Sequence, residues 1–159
     1  MIHIKNILVP TDFSEAANEA LEYALSLAKI FQSKLFLIHV FEPMVYYSDA
    51  PMGMHDLVDL EQGIRTSAER ALEDVCEKAI KAREPEFGPI PVETILVQGK
   101  PFVEIIKTAR DKKADLIVLS THGRGGLEHI LLGSVTEKVV RKSPCPVLTV
   151  RAKNGFTMP

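Results

Sequence analysis

Two short stretches hold the residue types that bind anions and sugars. The first is Ser120-Thr121-His122-Gly123-Arg124-Gly125-Gly126, leading to Leu132-Gly133-Ser134. Glycines let backbone N–H groups approach an anion closely and adopt positive φ. If Gly133-Ser134 opens a helix, its unsatisfied N–H groups and dipole favour phosphate there. The Ser134 hydroxyl adds a donor, and Arg124 can neutralise charge. The same residues would equally suit a surface loop followed by an ordinary helix cap. The second stretch is Val9-Pro10-Thr11-Asp12. Asp12 can accept hydrogen bonds from a ribose, as acidic residues do in dinucleotide sites. It can also do no more than cap the helix that follows. Both readings stand at this level.

Other chemistries lack their residues. There is no Gly-x-x-x-x-Gly-Lys-Ser/Thr, so the chain is not a P-loop NTPase. Gly123 and Gly125 begin a Gly-x-Gly, but Glu128 stands where the dinucleotide fingerprint needs its third glycine. No His, Cys or Asp cluster has metal-ligand spacing. His39 sits in an apolar run and reads as structural, whereas His122 either touches phosphate or folds the glycine loop. Cys76 falls on the apolar side of a helical pattern and reads as core packing. Cys145 stands between two prolines. No Ser-His-Asp or Cys-His arrangement is suggested, so no catalytic residue is assigned.

The elements that must position these loops follow from periodicity. Ile7-Leu8-Val9 is short, β-branched and apolar on both faces, as a central strand of a parallel sheet requires. Ser14 is a good N-cap, with Glu15 in the first turn. After it Ala17, Leu21, Ala24, Leu25, Ala28 and Phe31 recur at helical spacing. Lys34 to Val40 is a second strand. The stretch 41–55, with two prolines, Gly53, Tyr46 and Tyr47, is too long for an ordinary connector and reads as a lid or a variable loop. One long helix is expected from Leu57 to about Arg83, then a Pro/Gly-rich break over Glu84 to Pro91. Val92 to Val97 is a third strand. Pro101 opens a helix carrying Phe102, Val103, Ile105, Ile106 and Ala109. Leu116 to Leu119 is a fourth strand. Gly133-Ser134 starts a last helix ending near Lys142, and Pro146 to Val150 is a fifth strand, with a frayed tail to Pro159.

Strands alternating with helices imply an α/β fold: one open, parallel, five-stranded sheet with helices on both faces. Ligands of such sheets bind beyond the carboxyl ends of the strands, at the switch point, which is where both loops fall. The 159 residues, 46% of them apolar, suit one domain over 1–159. A net charge of −2 offers no global field for nucleic acid or an anionic membrane. Two cysteines make no disulfide framework, no signal-peptide layout opens the chain, and no apolar run reaches the ~20 residues of a membrane span. A soluble, cytoplasmic protein is expected.

The opening Ile7-Leu8-Val9-Pro10-Thr11-Asp12-Phe13-Ser14 resembles that of universal stress proteins. So do Ala114 to Arg124, Leu132-Gly133-Ser134-Val135 and the ending Ser143-Pro144-Cys145-Pro146-Val147-Leu148. The likeness is weakest between Glu42 and Pro91. The ATP-binding branch of that family has Gly-x-x-Gly, nine residues, then Gly-Ser/Thr. Here Gly123 is the second glycine, Arg124 to Leu132 are the nine, and Gly133-Ser134 closes the pattern; Ser120 replaces the first glycine. The resemblance implies a Rossmann-like sheet of the adenine-nucleotide-hydrolase type, with strand order 3-2-1-4-5. It implies that ATP, with Mg or Mn, is bound by Pro10, Thr11, Asp12, Val40, Ser120, Gly123, Arg124, Gly133, Ser134 and Val135. Asp12 would meet the ribose and the Val40 backbone the adenine, with phosphates held at Gly123 and Gly133 to Val135. It further implies a homodimer joined through the last strand, Val147 to Val150. An ATP-binding stress or signalling protein is the leading expectation; the alternatives within the same resemblance are a slow ATPase that needs a partner and a nucleotide-free dimeric scaffold.

Overall fold

The computed structural model describes residues 1–43, 54–121 and 133–151, with the backbone alone for 54–57. The 44–53 part of the expected lid, the loop residues Gly123 and Arg124, and the tail beyond 151 lie outside the described residues.

Five strands, β1 (Asn6–Pro10), β2 (Lys34–Phe41), β3 (Val92–Gln98), β4 (Leu116–Ser120) and β5 (Val147–Val150), form one sheet. Every pairing is parallel, and the order is β3-β2-β1-β4-β5. The first strand therefore lies at the centre, which accounts for its apolar residues on both faces. Ile7 and Leu8 are 0% exposed yet belong to opposite cores.

The helices divide between those two faces. Helix α1 (Glu15–Phe31) lays Ala20, Leu21, Ala24, Leu25 and Ala28 against Ile7, Val9, Leu35, Leu37 and Val118. Helix α2 (Met54–Val75) adds Leu72 to the same core. On the other face α4 (Pro101–Asp111) and α5 (Ser134–Lys142) place Ile105, Ala109 and Val139 on Leu8, Phe36, Ile38, Ile117 and Leu119. Polar ties fix β1 to β4 at the amino end of the sheet. The Asp115 carboxylate accepts the N–H of Lys5 (2.8 Å) and of Asn6 (3.0 Å), and the Asn6 amide donates to the Lys112 and Lys113 carbonyls.

Four expectations need correction. The helix expected as continuous from Leu57 to Arg83 ends as α at Val75; a π-helical turn (Cys76–Ile80) and a 3₁₀ turn (Lys81–Arg83) follow. The wider turn re-phases the chain so that Ile80, 7% exposed, joins the core that holds Leu72. The expected break at Glu84 contains a further helical turn, α3 (Glu84–Phe87). Pro85 is tolerated because it falls in the first turn, and Gly88 at φ 77° ends it, its N–H donating to the Glu84 carbonyl (2.7 Å). Phe31 shares the helical spacing of α1 but is 37% exposed, since it lies on the final turn, beyond the sheet core. Pro146 precedes β5; lacking an N–H, it contributes only its carbonyl, which accepts from Ile117 N–H (3.0 Å).

Candidate functional site

The centre of the sheet parts at its carboxyl end. Pairing between β1 and β4 is confined to Ile7–Leu116 and Leu8–Ile117, although β1 runs on to Pro10 and β4 to Ser120. Pro10 has no N–H to offer a neighbour. On its other side β1 stays in register with β2 through Pro10–Ile38. The β1–β4 seam is the point where chain order reverses, the usual position of a ligand crevice in such sheets.

Beyond β1 the chain turns sharply. Thr11, buried, donates its N–H to the Ile38 carbonyl (2.9 Å), and its hydroxyl accepts the Phe13 N–H (3.0 Å). Asp12 Oδ1 accepts from both the Ser14 N–H (3.0 Å) and the Ser14 hydroxyl (2.6 Å). Ser14 Oγ in turn accepts the Ala17 N–H (3.2 Å), capping α1 as expected. Asp12 thus does serve the cap, through Ser14. It stays half-buried beside the seam, so this structural duty and a ribose contact are compatible.

Beyond β4, backbone bonds from Thr121 N–H to the Val150 carbonyl (2.8 Å) and from Gly133 N–H to the Thr121 carbonyl (2.7 Å) dock the start of α5 onto the strand ends. Thr136, buried, donates its hydroxyl to the Ser120 carbonyl (2.8 Å). Nothing in the sequence pattern singled out Thr136; only its place three residues after Gly133 could have suggested a docking role. Gly133 is the N-cap of α5, as expected, but its own N–H is spent on Thr121. An anion at this terminus would be met by Ser134, Val135 and Thr136, whose first-turn N–H groups have no acceptor within the helix. Gly133 has φ −64° and ψ 153°, open to any residue, so the glycine is not required by backbone geometry. Ser120 ends β4 with no positive φ, so a serine in the glycine position introduces no strain.

The structure therefore brings Pro10, Thr11, Asp12, Val40, Ser120, Gly133, Ser134 and Val135 to one end of the sheet. Val40 lies near the end of β2, half-buried and paired with Val97. His39, read from sequence as structural, bonds the Thr11 carbonyl through Nδ1 (2.8 Å) and lies against the Phe13 ring. Among the described residues no group of three or more His, Cys, Asp or Glu could hold a metal ion. Both cysteines are unpaired, and burial pushes both thiols up from their ordinary value. For Cys76 the nearby Lys81 opposes that rise, and for Cys145 the Ser143 hydrogen bond does. Neither is an activated nucleophile.

A doubly wound parallel sheet with its switch point flanked by two helix N-termini defines an α/β protein of the crevice-binding class. The model of the universal stress protein family matches residues 3–151, and the chain belongs to that family. The universal stress protein MJ0531 of Methanocaldococcus jannaschii is 36% identical over 147 residues, covering 92% of this chain and 82% of that one. The solved UspA of Lactobacillus plantarum superposes with a TM-score of 0.80 at 27% identity, over 95% of this chain and all of that one. A universal stress protein solved in complex with cAMP superposes with a TM-score of 0.69 at 25% identity, covering 94% and 98% of the two chains.

Proposed function

We propose that this chain is a cytoplasmic stress-response or signalling protein that binds ATP in the crevice between β1 and β4. The observation that carries the reading is that β1–β4 pairing ends at Leu8–Ile117, with the start of α5 docked beyond the end of β4. Asp12 takes the ribose hydroxyls and the Val40 backbone meets adenine. The N–H groups of Ser134 and Val135 meet phosphate together with the Ser134 hydroxyl, and Gly123 and Arg124 of the adjoining loop complete the phosphate contacts. A divalent cation, Mg or Mn, arrives with the phosphates. The cAMP complex of a relative supports a nucleotide in this fold. No general base is assigned, so ATP acts as a ligand that biases conformation or partner choice. The whole chain forms one domain and pairs with a second copy through β5, which among the described residues has β4 alone as a neighbour in the sheet. The two unpaired thiols suit a reducing compartment.

The test is to denature freshly purified protein and assay the released small molecules by chromatography, then titrate the emptied protein with Mg-ATP. ATP near one per chain, or saturable uptake, is the expected result. A protein that is empty and ignores Mg-ATP would overturn the reading.

A further inference from the structure

Phe13 has a backbone φ of 65°, in the left-handed region that a bulky residue adopts only where its surroundings impose it. A closed set of bonds imposes it here. The N–H groups of Thr11, Phe13 and Ser14 go to the Ile38 carbonyl, the Thr11 hydroxyl and the Asp12 carboxylate. A further tether comes from the neighbouring strand. His39 Nδ1 stands 2.8 Å from the Thr11 carbonyl oxygen. A carbonyl can only accept, so the imidazole carries a proton on Nδ1. The same ring lies against Phe13, with centroids 4.3 Å apart and planes tilted by 35°. One side chain thus grips the turn at two points, the carbonyl before Asp12 and the strained residue after it.

We infer that His39 is a positioning residue of the site: it locks the Thr11–Ser14 turn, so that the Asp12 carboxylate is held ready for a nucleotide's ribose. The ribose part of this rests on the nucleotide reading above. Without the imidazole the Thr11 carbonyl loses its donor, and Phe13 loses the ring that braces its left-handed backbone. Relaxation of Phe13 toward negative φ would swing Asp12 relative to the end of β1. A turn already set in its bound form incurs no ordering cost on binding, so loosening it weakens affinity.

The experiment compares the wild type with His39→Leu and His39→Asn by Mg-ATP calorimetry and by native-state amide exchange. Asparagine keeps an N–H donor near the place of Nδ1, whereas leucine fills similar space without one. His39→Leu is expected to weaken Mg-ATP binding about five- to tenfold, the effect of one buried hydrogen bond. His39→Asn is expected to recover most of that loss. Exchange at Phe13 and Ser14 should accelerate in His39→Leu while Leu8, inside β1, stays protected. Unchanged affinity with unchanged exchange at the turn would overturn the inference. Equal losses in both variants with exchange rising throughout the sheet would also overturn it, since that marks a merely structural histidine. If the wild type takes up no Mg-ATP, the nucleotide reading fails by itself. The exchange comparison then still decides whether His39 locks the turn: acceleration confined to 11–14 supports it, and its absence refutes it. Should His39→Leu not fold, Phe13→Leu removes the ring contact from the other side and should give the same local acceleration.

Discussion

Asp12→Ala separates the two duties of that carboxylate. The substitution removes the acceptor for two Ser14 donors, the N–H at 3.0 Å and the hydroxyl at 2.6 Å. Ser14 keeps its own bond to Ala17, so the cap is weakened rather than lost. A loss of about 1–2 kcal/mol in stability follows. For a domain of this size each kcal/mol lowers Tm by about 2–4 °C, so a fall of roughly 2–8 °C is expected in a thermal melt. A lost ribose contact costs about 1–3 kcal/mol more in binding, a factor of roughly five to 150 in Mg-ATP Kd by calorimetry. Ser14→Ala is the control: it removes the cap oxygen while its N–H still reaches Asp12. It should cost about 1 kcal/mol of stability and leave Kd within about twofold. If Asp12→Ala lowers Tm and leaves Kd alone, the ribose assignment is wrong and the aspartate is only part of the cap. If Ser14→Ala raises Kd as much as Asp12→Ala, the effect runs through the turn rather than the carboxylate.

Gly133→Val should abolish Mg-ATP binding with an unchanged circular dichroism spectrum, because φ −64° and ψ 153° accept valine and the added bulk lies where phosphate would approach; retained affinity would remove Gly133 from the site. Ile117→Ala, at a position with 0% exposure in the strand between β1 and β5, should cost about 2–5 kcal/mol in urea unfolding. Glu93 is held below the usual carboxylate range by hydrogen bonds from Lys112 (2.6 Å) and Lys34 (2.7 Å). A depressed carboxylate stabilises the fold above its unfolded pKa of ~4.3 and loses that contribution as pH falls through its folded value. Glu93→Gln should therefore be less stable than wild type at pH 7, by under about 1 kcal/mol given the exposure of these groups, with the gap closing below pH ~4 and shrinking in salt. A gap that persists in acid would contradict the pairing. Cys76 and Cys145 should alkylate more slowly than a free thiol at pH 8, with rates still climbing above the ordinary thiol value of 9.0; reaction at the free-thiol rate would mean that burial does not govern them.

Most of the framework is legible because it rests on periodicity. Ile7-Leu8-Val9 has no polar face, and only a central strand covered on both sides can use it. The alanine and leucine spacing of α1 fixes the face it buries. Features that turn on one residue's shift in phase escape such reading. The π turn at Cys76–Ile80 exists because Ile80 must reach a core the sequence does not display. Phe31 keeps its helical spacing yet lies past the end of the surface it would cover. In the site, the placement of Pro10 to Asp12 and of Gly133 to Val135 at the carboxyl end of the sheet was legible, but the use of individual groups was not. Gly133 belongs to the phosphate pattern as the start of the helix, yet its own N–H docks on the Thr121 carbonyl. A left-handed Phe13 runs against residue preference, which assigns such backbone to glycine or asparagine, so neither it nor its partner His39 could be assigned to the turn from residue type alone.

The central place of β1 also governs the order in which the chain can be completed. During synthesis the strand at the middle of the sheet emerges first, but Asp115, which takes the Lys5 and Asn6 N–H groups, follows 110 and 109 residues later. At ~5–20 residues per second that interval lasts roughly 5–20 s. Helix α1 can cover one side of β1 and β2 early, while Leu8, Phe36 and Ile38 on the other side wait for α4 and α5. The nascent chain therefore carries an apolar half-sheet until α4 and α5 are made, a surface that chaperones of the ribosome exit are suited to shield.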